Sequence, residues 1–155
     1  MAKADRLGTE SPLGSALDFL QYLWRLNHAL ERVSSRMVKV LGITAQQRLV
    51  IRCLGKFPGM TVGQLAGVLH LDPGTVSTTL NRLERQGILL RRRDARDRRR
   101  VSLRLTARGR ALDQPAAGTV EHAVERLART AARNDIARAT TLLDRLIRLL
   151  LAEAR

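Results

Sequence analysis

Residues Arg91 to Arg100 read Arg-Arg-Arg-Asp-Ala-Arg-Asp-Arg-Arg-Arg, seven arginines and two aspartates in ten positions. No apolar core can take up such a run, because every buried charge would need a partner of its own. The segment must therefore turn through solvent, and its flanks say how. Ile88-Leu89-Leu90 precedes it. Val101-Ser102-Leu103-Arg104-Leu105 follows it and alternates apolar with polar, as a half-buried strand does. The pattern predicts two short strands joined by a cationic turn. A phosphate backbone suits that turn, since each guanidinium that neutralises a phosphate releases condensed counterions. The aspartates add order, because a carboxylate can hold an arginine fork in a fixed orientation.

Just upstream, Thr61 and Gln64 stand at capping-box spacing before Val62, Leu65, Ala66 and Leu69. Asp72 then offers an N-cap and Pro73 a first helical residue, and Gly87 offers a stop after Gln86. Two short helices meeting at Leu71-Asp72 have the spacing of a helix-turn-helix. On the second helix Val76, Leu80 and Leu83 form the stripe expected to be buried. The opposite face carries Thr75, Ser77, Thr78, Asn81, Arg82 and Arg85. Short donors and acceptors suit base edges, and the cations that follow suit phosphates.

The rest of the chain reads as helix. Apolar residues recur at helical spacing from about Ser15 to Leu41, ending at Gly42. Thr44 and Gln47 repeat the capping-box spacing ahead of a helix with Leu49, Val50, Cys53 and Leu54. Thr106 can cap a helix beginning at Ala107, which Pro115 should kink or restart near Gln114. Asn134 can cap a last helix rich in leucine. Residues 1–12 are polar and read as a loose arm. The length of 155 residues predicts one domain.

Formal net charge is +14, and residues 82–110 alone carry twelve arginines against Glu84, Asp94 and Asp97. The surplus is thus local, the footprint of a polyanion partner. Aromatic residues make up only 3% of the chain, too few for a stacking platform for single strands. The one cysteine, Cys53, excludes an intrachain disulfide and suits a reducing compartment. No apolar run resembles a signal peptide or a membrane span, so a cytoplasmic, nucleoid-associated protein is expected. His28, His70 and His122 are scattered away from any acid or cysteine cluster, so no metal site and no cofactor are expected. With no nucleophile–base pair and no phosphate loop, the chain does not read as an enzyme.

The run Leu65-Ala66, Leu71-Asp72-Pro73-Gly74-Thr75-Val76-Ser77, Leu83-Glu84-Arg85-Gln86-Gly87, Asp94-Ala95-Arg96-Asp97-Arg98-Arg99 and Leu105-Thr106-Ala107-Arg108-Gly109 resembles the MarR family of transcriptional regulators. The wing Asp-x-Arg-Asp-x-Arg followed by Leu-Thr-x-x-Gly is the specific part. The resemblance implies a mostly α fold with a small β-hairpin wing, a winged helix-turn-helix over about 44–106. It implies dimerisation helices over about 13–42 and 107–155. It further implies a homodimer on a pseudo-palindromic operator of double-stranded DNA, with repression or activation of a nearby promoter; a repressor is the expectation. Arg96 would enter the minor groove, braced by Asp94, with Arg98 and Arg99 beside it. Thr78 stands where many members carry arginine, so its base readout should differ.

Three further features have plainer readings. Trp24 and His28, one turn apart, suit core or dimer packing. They could also wall a pocket for a small anionic or aromatic effector, the place where the resemblance puts one, with Arg48 and Arg52 as countercharge. Cys53 reads as a small buried residue before it reads as a redox sensor. The leucines from Leu142 to Leu151 suit a subunit interface. The rival functional reading is a sequence-independent architectural nucleic-acid-binding protein, which the same charge would permit.

Overall fold

A computed structural model of the chain describes residues 14–93 and 101–154. The helices are α1 (Ser15–Leu41), α2 (Ala45–Lys56), α3 (Val62–Leu69), α4 (Pro73–Arg85), α5 (Ala107–Leu112), α6 (Val120–Thr130) and α7 (Asp135–Glu153). Strands β1 (Leu89–Arg93) and β2 (Val101–Leu105) lie between α4 and α5 and form one antiparallel pair. The chain divides into two compact units, residues 1–115 and 116–155.

In the first unit, local side-chain chemistry starts nearly every helix. Thr44 and Thr61 each accept from the amide three residues on, and Gln47 and Gln64 reach back to the cap residue's own N–H. Each box satisfies two of the donors that a helix start leaves orphaned. Asp72 Oδ1 accepts from Gly74 N at 2.8 Å and Thr75 N at 3.2 Å, with Pro73 behind it. Gly42 ends α1 in the left-handed region, at φ 73°. A helix does begin at Ala107, but it stops at Leu112, ahead of Pro115.

The core of this unit joins α2, α3, α4 and the hairpin. Ile51 and Leu54, Leu65, Val76, Leu80 and Leu83, Ile88 and Leu89, and Leu103 are all buried in it. Each such side chain removed from water is worth about 1.5–3 kcal/mol. The expected stripe of α4 is thus the buried one. In the hairpin Leu89 pairs with Leu105, Arg91 with Leu103 and Arg93 with Val101. Side chains alternate between faces, so Arg91 lies on the same side as buried Leu89. The loop before α3 extends the sheet edge: Leu103 N donates to Met60 O at 2.8 Å, and Gly59 N donates to Leu103 O at 3.2 Å.

Helix α5 is locked to the hairpin by Thr106 and Gly109. Thr106 N donates to Ile88 O at 3.0 Å, and its hydroxyl donates to Gly87 O at 2.7 Å and accepts from Gly109 N. A β-carbon on Gly109 would stand 2.1 Å from Ile88 O, so only glycine fits. The carboxyl end of α5 rests on α2. Arg48 is 1% exposed, and its guanidinium donates to Leu112 O at 2.6 Å and Gln114 O at 2.7 Å. Arg52 pairs with the Asp113 carboxylate at 2.8 Å and also donates to Asp113 O. A β-carbon on Gly55 would collide with that same carboxylate. Positions 48, 52 and 55 lie on one helical face, and all three serve the end of α5.

The second unit holds α6 and α7. Thr119 caps α6 through His122 N and donates to Ala116 O at 2.8 Å. Asn134 precedes α7 as expected but makes no side-chain cap; Asp135 accepts from Ala132 N at 3.2 Å instead. Neither helix contains a buried residue.

Candidate nucleic-acid interface

The outward face of α4 follows from its buried stripe. Thr75, Thr78, Asn81, Arg82 and Arg85 are exposed, and Ser77 is half-buried. Thr78 and Thr79 turn their hydroxyl protons back along the helix, to Gly74 O at 3.0 Å and Thr75 O at 3.1 Å. A hydroxyl that donates inward can only accept from outside, so Thr78 offers an acceptor and a methyl group. Asp72 already occupies the amides of Gly74 and Thr75. Arg82 and Arg85 stand in the last turn, where cations also complement the helix dipole.

The hairpin is tied to this helix by Arg91. Arg91 Nη1 lies 3.2 Å from Glu84 Oε2, and Arg91 Nη2 donates to Asn81 Oδ1 at 2.8 Å. Asn81 and Glu84 are three apart on α4, hence neighbours on one face. From α5, Arg108 Nη1 donates to Gln86 O at the end of α4 at 2.8 Å. The two-residue period of a strand, which puts Arg91 on the face of Leu89, could have pointed to Arg91; its partners were not visible in the sequence. Arg92, Arg93 and Arg104 are exposed. Asp94, Arg96, Arg98 and Arg99 lie outside the described residues.

The four residues that the sequence offers to an effector lie on α1 and α2. Trp24 is 66% exposed and His28 is exposed, both on α1. Arg48 and Arg52 hold the end of α5, intramolecular work that the sequence reading did not anticipate. Cys53 is half-buried, and burial pushes its thiol up against the smaller opposing pull of Lys56. Among the described residues no group of three or more His, Cys, Asp or Glu is placed to hold a metal ion. No described helix is long and apolar enough to cross a membrane.

The sequence model of the MarR family matches residues 43–101. The HTH-type transcriptional repressor Rv2887 of Mycobacterium tuberculosis is 32% identical over 121 residues, covering 78% of this chain and 83% of that protein. The chain belongs to the MarR family. Its MarR signature Leu-Thr-x-x-Gly, here Leu105, Thr106 and Gly109, is the lock between α5 and Ile88 described above. The HTH-type transcriptional regulator TtmR of Methylorubrum extorquens is 36% identical over 107 residues, 68% of this chain; the chain spans 54% of that protein's length. Among solved structures, FabT of Streptococcus pneumoniae in complex with DNA superposes with a TM-score of 0.65 at 28% identity. That match covers 89% of this chain and 99% of FabT. The transcriptional regulator SlyA superposes at 0.68 with 21% identity, a likeness of fold. The mostly helical architecture with one hairpin is therefore that of the winged-helix MarR proteins.

Proposed function

We propose that this chain is a transcriptional regulator that binds double-stranded operator DNA sequence-specifically as a homodimer, acting as a repressor in the cytoplasm. Helix α4 enters the major groove, and the arginine hairpin reaches the adjacent minor groove, whose narrow stretches concentrate negative potential. The observation that carries this reading is the tie of β1 to α4 through Arg91, which sets the arginine hairpin beside a polar, unburied helix face. Asp94 braces Arg96 for the groove, and Arg98 and Arg99 meet the backbone. The dimer rests on α1, α6 and α7. Tyr22, Trp24, Leu26, Leu127, Ile147 and Leu150 are among many apolar side chains on them left exposed in one chain. Two half-sites about one turn apart, ~34 Å, would then be gripped together. A small anionic or aromatic effector near Trp24 and His28 would act by changing that spacing.

Binding to DNA recovered from upstream of the protein's own gene, measured against random duplex, tests the reading. A preference of about 10³-fold or more supports a regulator. Equal affinity for both would support the architectural alternative. If the dimer makes about 6–10 phosphate contacts, log K falls against log salt with a slope of roughly −5 to −9. A slope near zero would mean that the arginines do not meet the backbone.

A further inference from the structure

Three consecutive arginines end β1, and the fold gives them different surroundings. Arg91 turns to α4, where Glu84 Oε2 lies 3.2 Å from its Nη1 and Asn81 Oδ1 accepts from its Nη2 at 2.8 Å. Its charge is therefore matched within the chain. Arg93 lies one strand period further toward the turn, about 6.6 Å on, and so on the same face. Arg93 is exposed, and among the described residues no carboxylate pairs with it. Arg92 takes the opposite face, across from Ser102, away from the side that meets α4. One face of β1 thus carries both the tie to α4 and, next to it, an uncompensated cation. In duplex DNA a single sugar-phosphate strand separates a major groove from the minor groove beside it. A helix in the first and a hairpin in the second must straddle that strand. The strand then borders the side of the hairpin that looks toward α4, which is the side of Arg93. A guanidinium suits a phosphate there, because its fork can make two parallel N–H bonds to the oxygens.

We infer that Arg93 is a further DNA-binding residue, one that grips a phosphate of the strand running between the two grooves, and that neither Arg91 nor Arg92 holds that phosphate. This inference rests on the proposed entry of α4 into the major groove and of the hairpin into the minor groove beside it. It divides three like charges by their surroundings, where their sequence alone makes them equivalent.

Salt titration of wild type, Arg92→Gln, Arg93→Gln and Arg93→Lys on duplex from upstream of the protein's own gene tests it. Each phosphate contact contributes roughly 0.9 to the slope of log K against log salt, so Arg93→Gln should flatten the slope of a dimer by about 1.8. Arg93→Lys keeps the cation and should keep the slope. Arg92→Gln removes the same charge one residue away and should leave the slope at its wild-type value. Both positions are exposed, so the variants should fold as wild type does. Ethylation of single phosphates gives a second reading. Wild type should lose affinity when a phosphate between the two grooves is ethylated in either half-site, and Arg93→Gln should be indifferent to that modification. An unchanged slope for Arg93→Gln would overturn the inference. So would equal shifts for Arg92→Gln and Arg93→Gln, the result that charge counting alone gives. Wild type indifferent to ethylation between the grooves would overturn it too. A wild type that prefers the upstream duplex no more than random sequence would instead sink the proposed function itself.

Discussion

At the scale of single residues, two helical glycines, one on α5 and one on α3, make a contrast. A β-carbon at Gly109 would meet Ile88 O at 2.1 Å, whereas one at Gly63 on α3 would meet nothing within 4 Å. Gly109→Ala should therefore cost about 1–3 kcal/mol, as overpacking does, and lower the midpoint of denaturant unfolding. Gly63→Ala should stabilise the fold by about 0.5–1 kcal/mol and raise that midpoint, since alanine loses less backbone entropy in a helix. Equal shifts in the two variants would refute the packing account of the Leu-Thr-x-x-Gly signature. Cys53 gives a second expectation. Burial favours the neutral thiol, so the folded pKa lies above the ordinary thiol value and the thiolate is scarce at neutral pH. Alkylation by iodoacetamide should be slow at pH 7, rise steadily with pH, and level off only above the ordinary thiol range. Rapid labelling at pH 7 would mark an activated thiol, the property a peroxide sensor needs.

At the scale of elements, the hairpin and α4 behave as one device, since Arg91 ties them together. The wing adds a prediction whose sign simple charge counting gets wrong. If Asp94 braces Arg96 as proposed, Asp94→Ala should weaken operator binding although it removes a negative charge. Arg96→Ala should cost on the order of 1–3 kcal/mol per half-site. Titration of both variants against one operator at fixed salt checks this, and a tighter-binding Asp94→Ala would refute the orienting role. Helix α2 offers the same lesson in another form. Its arginines at 48 and 52 look like countercharges for a ligand when read along the sequence, but in the fold they hold the carbonyls that end α5.

At the scale of the whole molecule, the exposed apolar residues set the assembly. Helix α1 has a single buried residue, Met37, and α6 and α7 have none. Apolar faces of that extent on an isolated chain are a liability unless a second copy covers them. Ile147→Arg combined with Leu150→Arg should convert a dimer to a monomer in sedimentation at micromolar concentration. Because both residues are exposed in one chain, helical content should persist while operator affinity falls steeply. A wild-type chain that sediments as a monomer would refute the dimer outright.

What the sequence determined by itself is the placement of the elements. Thr44, Thr61, Asp72 and Thr106 start helices through bonds to residues two or three positions away, and Gly42 ends one through its own backbone freedom. Such interactions are local, so their spacing is readable in the chain. The buried stripe of α4 and the outward face opposite it were legible for the same reason, since helical periodicity alone fixes which positions share a side. The cap expected at Asn134 is the exception: its side chain makes no cap bond, and Asp135 accepts from Ala132 N ahead of the helix. What only the tertiary structure decided is the work given to the long cations. The carbonyls that Arg48 holds lie 64 and 66 residues downstream, and Arg91 crosses from a strand to the helix before it to reach Asn81 and Glu84. An arginine carries a fixed charge on a long, flexible stem, so its sequence position says that a donor exists; the fold alone says which acceptor it meets.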